Sequence, residues 1–135
     1  MGEILFVHLI AGAALYKDGK FLLVQEKLPK AYGQWNWPAG KVEAGLSLQE
    51  NAMKEVKEET GFDVRIEELL GIFPKLKKEE EPQYLYRATI LGGELIIPED
   101  EILDAKWFTV EEMASLELRD PWVINGAKMI VDKTS

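Results

Sequence analysis

One stretch limits the fold of this chain more than any other. Between Trp37 and Phe62, the glycine-punctuated turn Trp37-Pro38-Ala39-Gly40-Lys41-Val42-Glu43-Ala44-Gly45 runs straight into a segment with helical grammar at both ends. Ser47 and Glu50 have capping-box spacing, so hydroxyl and carboxylate can each satisfy an orphan amide of the first turn. Gly61 supplies a left-handed stop, which predicts a helix running to about Thr60. Leu48, Ala52 and Val56 recur every four residues and give that helix a buried stripe. Beside the stripe, Glu55, Glu58 and Glu59 stand at i, i+3 and i+4, within a wedge of about 100°. Oxygen donors converging from one face suit a hard cation such as Mg²⁺ or Mn²⁺. A cation would relieve a repulsion of roughly 0.2–0.5 kcal/mol per pair. The plainer alternative is a solvated face, with Glu50–Lys54 an ordinary i,i+4 pair.

The remaining chain reads as strands and two further helices. Ile4 to Tyr16 is apolar but shorter than the roughly 20 residues of a membrane span. It also lacks the basic start of a secretory signal. Lys17-Asp18-Gly19-Lys20 is a tight turn into Phe21–Val24, so the two runs form a hairpin buried on both faces. Lys27 to Ala39 is a breaker-rich loop. Phe62 to Leu76 and Tyr84 to Leu91 read as strands around a solvated turn, Lys77 to Pro82, with Glu94 to Ile97 pairing back onto the second. Asp104 to Phe108 is a short strand. Thr109 and Glu112 cap a helix of about two turns. Asp120-Pro121 opens a last helix carrying Trp122, Ile124, Ala127, Ile130 and Val131. The fold class is therefore α/β (α+β), a mixed sheet covered by helices on both faces, in one domain over residues 1–135.

Composition removes whole classes of function. Sixteen Lys and Arg against twenty-four Asp and Glu leave a net charge of −8, which excludes a broad basic surface for duplex nucleic acid or membrane phosphates. With no cysteine there is no disulfide framework, thiolate zinc site or cysteine nucleophile. That composition fits a reducing cytoplasm. His8, the only histidine, lies in the apolar run and is assigned no role.

Taken together, GKVEAGLSLQENAMKEVKEETGF resembles the signature of the Nudix hydrolases, G-x5-E-x7-R-E-U-x-E-E-x-G-U with U apolar. Gly40, Glu55, Val56, Glu58, Glu59, Gly61 and Phe62 fall in register, and the flanking strands extend the resemblance over nearly the whole chain. Two positions depart from it: Leu46 stands where the signature has glutamate, and Lys54 where it has arginine. Lysine keeps the charge but loses the planar fork. Glu43 and Glu50 are the nearby acids able to compensate.

The resemblance implies an α/β/α sandwich that cleaves a pyrophosphate bond in a nucleoside diphosphate linked to another moiety, using Mg²⁺ or Mn²⁺. It implies Glu55, Glu58, Glu59 and the Ala39 carbonyl as metal ligands, with Gly40, Lys54 and Gly61 as structural support. Glu101, in the acidic run Glu99-Asp100-Glu101, is the candidate extra ligand or base; a charged turn is the alternative. Trp35, Trp37 and Lys41 are candidates for holding the substrate, and the two tryptophans, sharing one strand face, equally suit core packing. Isopentenyl diphosphate isomerases, which share this fold, rely on a cysteine this chain lacks. A nucleoside triphosphate or a nucleotide-linked sugar are the open substrate classes. A homodimer, and a catalytically weak nucleotide-binding or regulatory module, are the remaining options.

Overall fold

A computed structural model describes residues 8–75 and 78–134. In chain order it holds strands β1 (Ile10–Lys17), β2 (Lys20–Glu26), β3 (Trp35–Asn36) and β4 (Ala39–Lys41), then helix α1 (Leu48–Thr60). Strands β5 (Phe62–Lys75), β6 (Lys78–Gly93) and β7 (Ile102–Phe108) follow, and helices α2 (Val110–Met113) and α3 (Trp122–Thr134) complete it. Asp18 and Gly19 take left-handed angles, φ 52° and 77°, which close the β1–β2 turn. The two strands pair only beside that turn, Tyr16 opposite Phe21 and Lys17 opposite Lys20. Beyond it they part. β1 pairs antiparallel with β4 and parallel with β6, whereas β2 pairs antiparallel with β3 and β7. The mixed sheet runs β3-β2-β1-β6-β5, with β4 and β7 joined from outside that path.

Strand alternation sorts the core into two layers. Ile10, Ala14, Phe21 and Leu23 face Trp122, Val123, Ala127 and Ile130 of α3. Their neighbours Ala13, Leu15, Leu22 and Val24 face Val56 of α1, and Ala11 packs with Ala52. Helices therefore cover both faces, as the sequence pattern requires. The capping box forms at Ser47, and Gly61 ends α1 with φ 86° and its amide on the Lys57 carbonyl.

Several local expectations change. The loop from Lys27 to Ala39 contains a 3₁₀ turn at Pro29–Ala31 and the short strand β3, because Trp35 and Asn36 find partners on β2. Residues 78–82 continue β6 instead of forming a solvated turn. Backbone pairing with β5 extends through this charged run, and Glu81 is buried. Lys77 and Leu76 lie outside the described residues, as does the chain before His8. Glu94–Ile97 makes no strand; it folds back over the end of α1, where the Ile96 amide donates to the Thr60 carbonyl at 2.8 Å. The helix capped by Thr109 is a single turn, and α3 begins one residue after Pro121. His8 is exposed ahead of β1 instead of lying within a strand.

Candidate active site

The loop before α1 is laid against the helix by polar side chains. Within β4, Gly12 lies opposite Ala39 and Ala11 opposite Gly40. The flanking pairs are closed by Ala13 N–H to Pro38 O at 3.1 Å and Val42 N–H to Leu9 O at 2.8 Å. Alternation along an antiparallel ladder therefore turns the Ala39 peptide groups away from β1 and toward α1. Its amide donates to Glu59 Oε2 at 2.8 Å. Asn51 is wholly buried on α1, accepting from the Glu43 amide at 3.1 Å and donating to the Gly40 carbonyl at 3.3 Å. Gly40 has a steric reason to be glycine: a Cβ there would sit 2.5 Å from the Glu55 carboxyl carbon. The signature glycine and the signature glutamate are thus in direct contact across the loop–helix seam.

The three glutamates occupy different environments. Glu58 is exposed, Glu55 half-buried and Glu59 buried. Burial, then repulsion from Glu58, pushes the Glu55 carboxyl up to about 7. Burial also raises Glu59 well above the usual carboxylate range; Glu55 and Glu26 push it further, and the Ala39 amide opposes them. Glu58 is turned aside, its Oε1 2.6 Å from Lys54 Nζ, which also reaches Glu43 at 2.9 Å. Those hydrogen bonds, that to Glu58 first, hold the lysine above its ordinary value. Glu43, not Glu50, is the acid that compensates around Lys54, because Glu50 is spent in the capping box. Half-buried Leu46 supplies no charge here.

A cleft of about 510 Å³ opens beside this seam, lined among others by Glu26, Ala39, Glu59, Asp100 and Glu101. Glu101 is close enough to raise both Glu55 and Glu59, so the structure brings it to the helix acids. As they stand, no three acidic or histidine side chains among the described residues are grouped to hold a metal ion. The donor chemistry nonetheless fits a hard cation: oxygen only, with two carboxylates whose proton affinity is raised by burial first and by their acidic neighbours second. A second cleft, of about 440 Å³ between Leu15, Arg87 and Ile130, offers one acid, Glu68, which is bonded to Arg87 at 3.3 Å.

Three expected substrate contacts are not brought to this cleft. Trp37 is fully enclosed, with its indole N–H donating to the Trp122 carbonyl at 3.1 Å. Trp35 is buried edge-on against Phe108, ring centroids 4.9 Å apart. Neither offers a face to a nucleobase; both are core. Lys41 stands opposite Ile10, so alternation sends its side chain to the sheet face away from Glu55, where it approaches Glu81 at 3.9 Å. Two polar residues escaped the sequence reading. Glu26 continues the face of Leu22 and Val24 at two-residue spacing, a signal that was available. Asn36 bonds Glu26 Oε1 at 3.2 Å and accepts from the Trp122 indole at 2.9 Å; its role depends on tertiary register alone.

Comparison with known proteins bears on the same seam. The family model described as NUDIX domain matches residues 7–131. A Caenorhabditis elegans protein provisionally named nudix hydrolase 1 is 34% identical over 112 residues, covering 79% of this chain and 30% of that protein. The ADP-ribose pyrophosphatase of Methanocaldococcus jannaschii is 29% identical over 103 residues, covering 74% of this chain and 60% of that one. The crystal structure of an ADP-ribose pyrophosphatase from Streptococcus suis superposes with a TM-score of 0.79 at 27% identity, covering 96% of this chain and 92% of its own. The chain spans between 30% and 66% of the length of four curated relatives it matches. No helix among the described residues is long and apolar enough to cross a membrane.

Proposed function

Because this chain belongs to the Nudix family, we propose that it is a hydrolase cleaving the pyrophosphate bond of a nucleoside diphosphate linked to another moiety, as a single domain dependent on a divalent cation. The observation that carries this is the Gly40–Glu55–Glu59–Ala39 seam: Gly40 lies against Glu55, the Ala39 amide binds Glu59, and Ala39 and Glu59 line one acidic cleft, with both helix carboxylates raised by burial and then by their acidic neighbours. Glu55, Glu59 and the Ala39 carbonyl are the groups that would hold Mg²⁺ or Mn²⁺, with Glu58 on the next turn as a further ligand. When bound, the cation supplies charge neutralisation on the diphosphate and a more acidic water.

The protein's own residues do the rest. Asn51 fixes the loop on the helix, so the Ala39 peptide and the helix acids keep one spacing. Glu55, able to exchange a proton near neutrality, would take one from an attacking water. Glu101 adds negative charge at the opposite lip and serves as an extra ligand or base. Net charge of −8 repels a bare polyphosphate, so turnover depends on the cation. Relatives named as ADP-ribose pyrophosphatases favour a nucleotide-linked sugar over a nucleoside triphosphate. The test is product mass analysis after incubation with Mg²⁺ and a panel of nucleoside triphosphates and nucleotide sugars. Release of AMP and ribose phosphate from ADP-ribose is the expected result. Binding without turnover across the panel would instead favour a regulatory module.

A further inference from the structure

The acidic cleft contains one cation whose position none of the motif residues explains. Among the described residues that line it, Glu26, Glu59, Asp100 and Glu101 bring four carboxylates and Lys27 the one ammonium. Lys27 follows directly on the end of β2. Its Nζ donates to the Glu99 carbonyl at 2.7 Å, joining segments 72 residues apart. Among the described residues it enters no ion pair, although Asp100 and Glu101 border the same cleft. Its partner is a neutral peptide oxygen. The bond therefore ties the lip after β2 to the turn before β7, where the amides of Glu101 and Ile102 fold onto the Pro98 carbonyl.

We infer that Lys27 is the residue that grips the substrate's diphosphate from the lip opposite α1, giving up its bond to the Glu99 carbonyl to do so. An anionic phosphate oxygen is the stronger acceptor, since it adds charge–charge attraction to a bond in which only the donor is charged now. Lys27 is exposed, and its flexible four-carbon stem lets the ammonium change partner. Charge balance asks for the same exchange. Asp100 borders the same cleft and would repel a diphosphate there, and Lys27 is the group among the lining residues whose charge would offset that repulsion. The exchange also unties the two lips, so binding of the diphosphate loosens the turn at 98–101. This inference rests on the hydrolase reading for its ligand class, but not on turnover.

The experiment is calorimetric binding of α,β-methylene-ADP, a diphosphate whose bridging carbon resists hydrolysis, to the full chain with Mg²⁺. Lys27→Met is expected to weaken binding by about tenfold or more, and Lys27→Arg to stay within about threefold of the parent. Lys27→Gln separates charge from tie, because it keeps a donor for the Glu99 carbonyl but carries no charge. It should weaken binding as Met does, with a flatter dependence on salt. Glutamine binding like the parent, unchanged binding by Lys27→Met, or no binding of this probe by the parent would each overturn the inference. Lysine-dependent binding in a protein that turns over nothing on the nucleotide panel would sink the hydrolase reading and leave the grip standing.

Discussion

On the α3 side of the sheet, Trp37 and Trp122 are enclosed, and each indole N–H has an acceptor, the Trp122 carbonyl and Asn36 Oδ1 respectively. On the α1 side, equally close to the sheet, Glu59 is buried against Glu55 and Glu26, and all that opposes their charge on it is one amide at 2.8 Å. Burial does opposite things in the two places. Where a buried polar atom meets a complementary partner, enclosure adds stability. Where buried acids meet other acids, enclosure raises proton affinity and leaves a site that gains by taking up a cation. The two layers share one sheet, so one holds the chain folded while the other carries the cost of chemistry.

The sharpest way to break this comparison is to hollow out the satisfied side. Trp37→Ala removes one of the two largest fully enclosed side chains among the described residues. It should cost about 3–5 kcal/mol in denaturant unfolding. A loss below about 1 kcal/mol would mean that the α3 layer is not what holds the fold. On the α1 side, Glu59→Gln should cut turnover by on the order of 10²–10³-fold. Its amide oxygen can still accept from Ala39, and an acid whose ionisation burial disfavours is gone. Without added cation, at a pH above neutrality, the variant should melt a few degrees higher than the parent, about 2–5 °C. Lower activity together with lower stability would place Glu59 among ordinary structural residues.

What the sequence could and could not disclose follows the same division. The α1 capping box, the Gly61 stop and the register of Gly40 with Glu55 are local grammar, so they were legible. The apolar runs of β1 and β2 likewise read as strands buried on both faces, though they did not show which helix covers which face. The environment of each glutamate was not legible, since spacing puts three acids on one wedge but says nothing of the Lys54 bond that draws Glu58 aside. Trp37 beside a catalytic loop reads equally as a stacking platform or as core, and only the approach of α3 decides it. Residues 78–82 look like a solvated turn because charge implies exposure; Lys41, placed by strand register, lies near enough to Glu81 to offset its burial.

A subtler contrast comes from pH. The Glu55 carboxyl moves from an ordinary 4.5 to about 7 on folding, so between those values the folded chain holds a proton that the unfolded chain has released. Unfolding then binds fewer protons, and stability falls as pH rises through that window. Melting curves without added cation should show this decline, which Glu55→Gln should reduce. Mg²⁺ should offset it, with protons released on binding. A flat profile in the parent would mean that the α1 acids are not crowded in solution.

The smallest expected effect tests the two departures from the signature. Lys54 already reaches Glu43 and Glu58 from a half-exposed position, and both acids are exposed, so such pairs contribute little because solvent screens them. A guanidinium would keep both contacts with a better-matched fork, and glutamate at half-exposed position 46 would add one more acid at the rim. Leu46→Glu with Lys54→Arg should therefore change turnover by no more than about threefold. A rise of about tenfold would show that lysine's hold on Glu58 limits the site. The α1 face would then be tuned by a surface pair and not by burial, and the contrast between the two layers would need another cause.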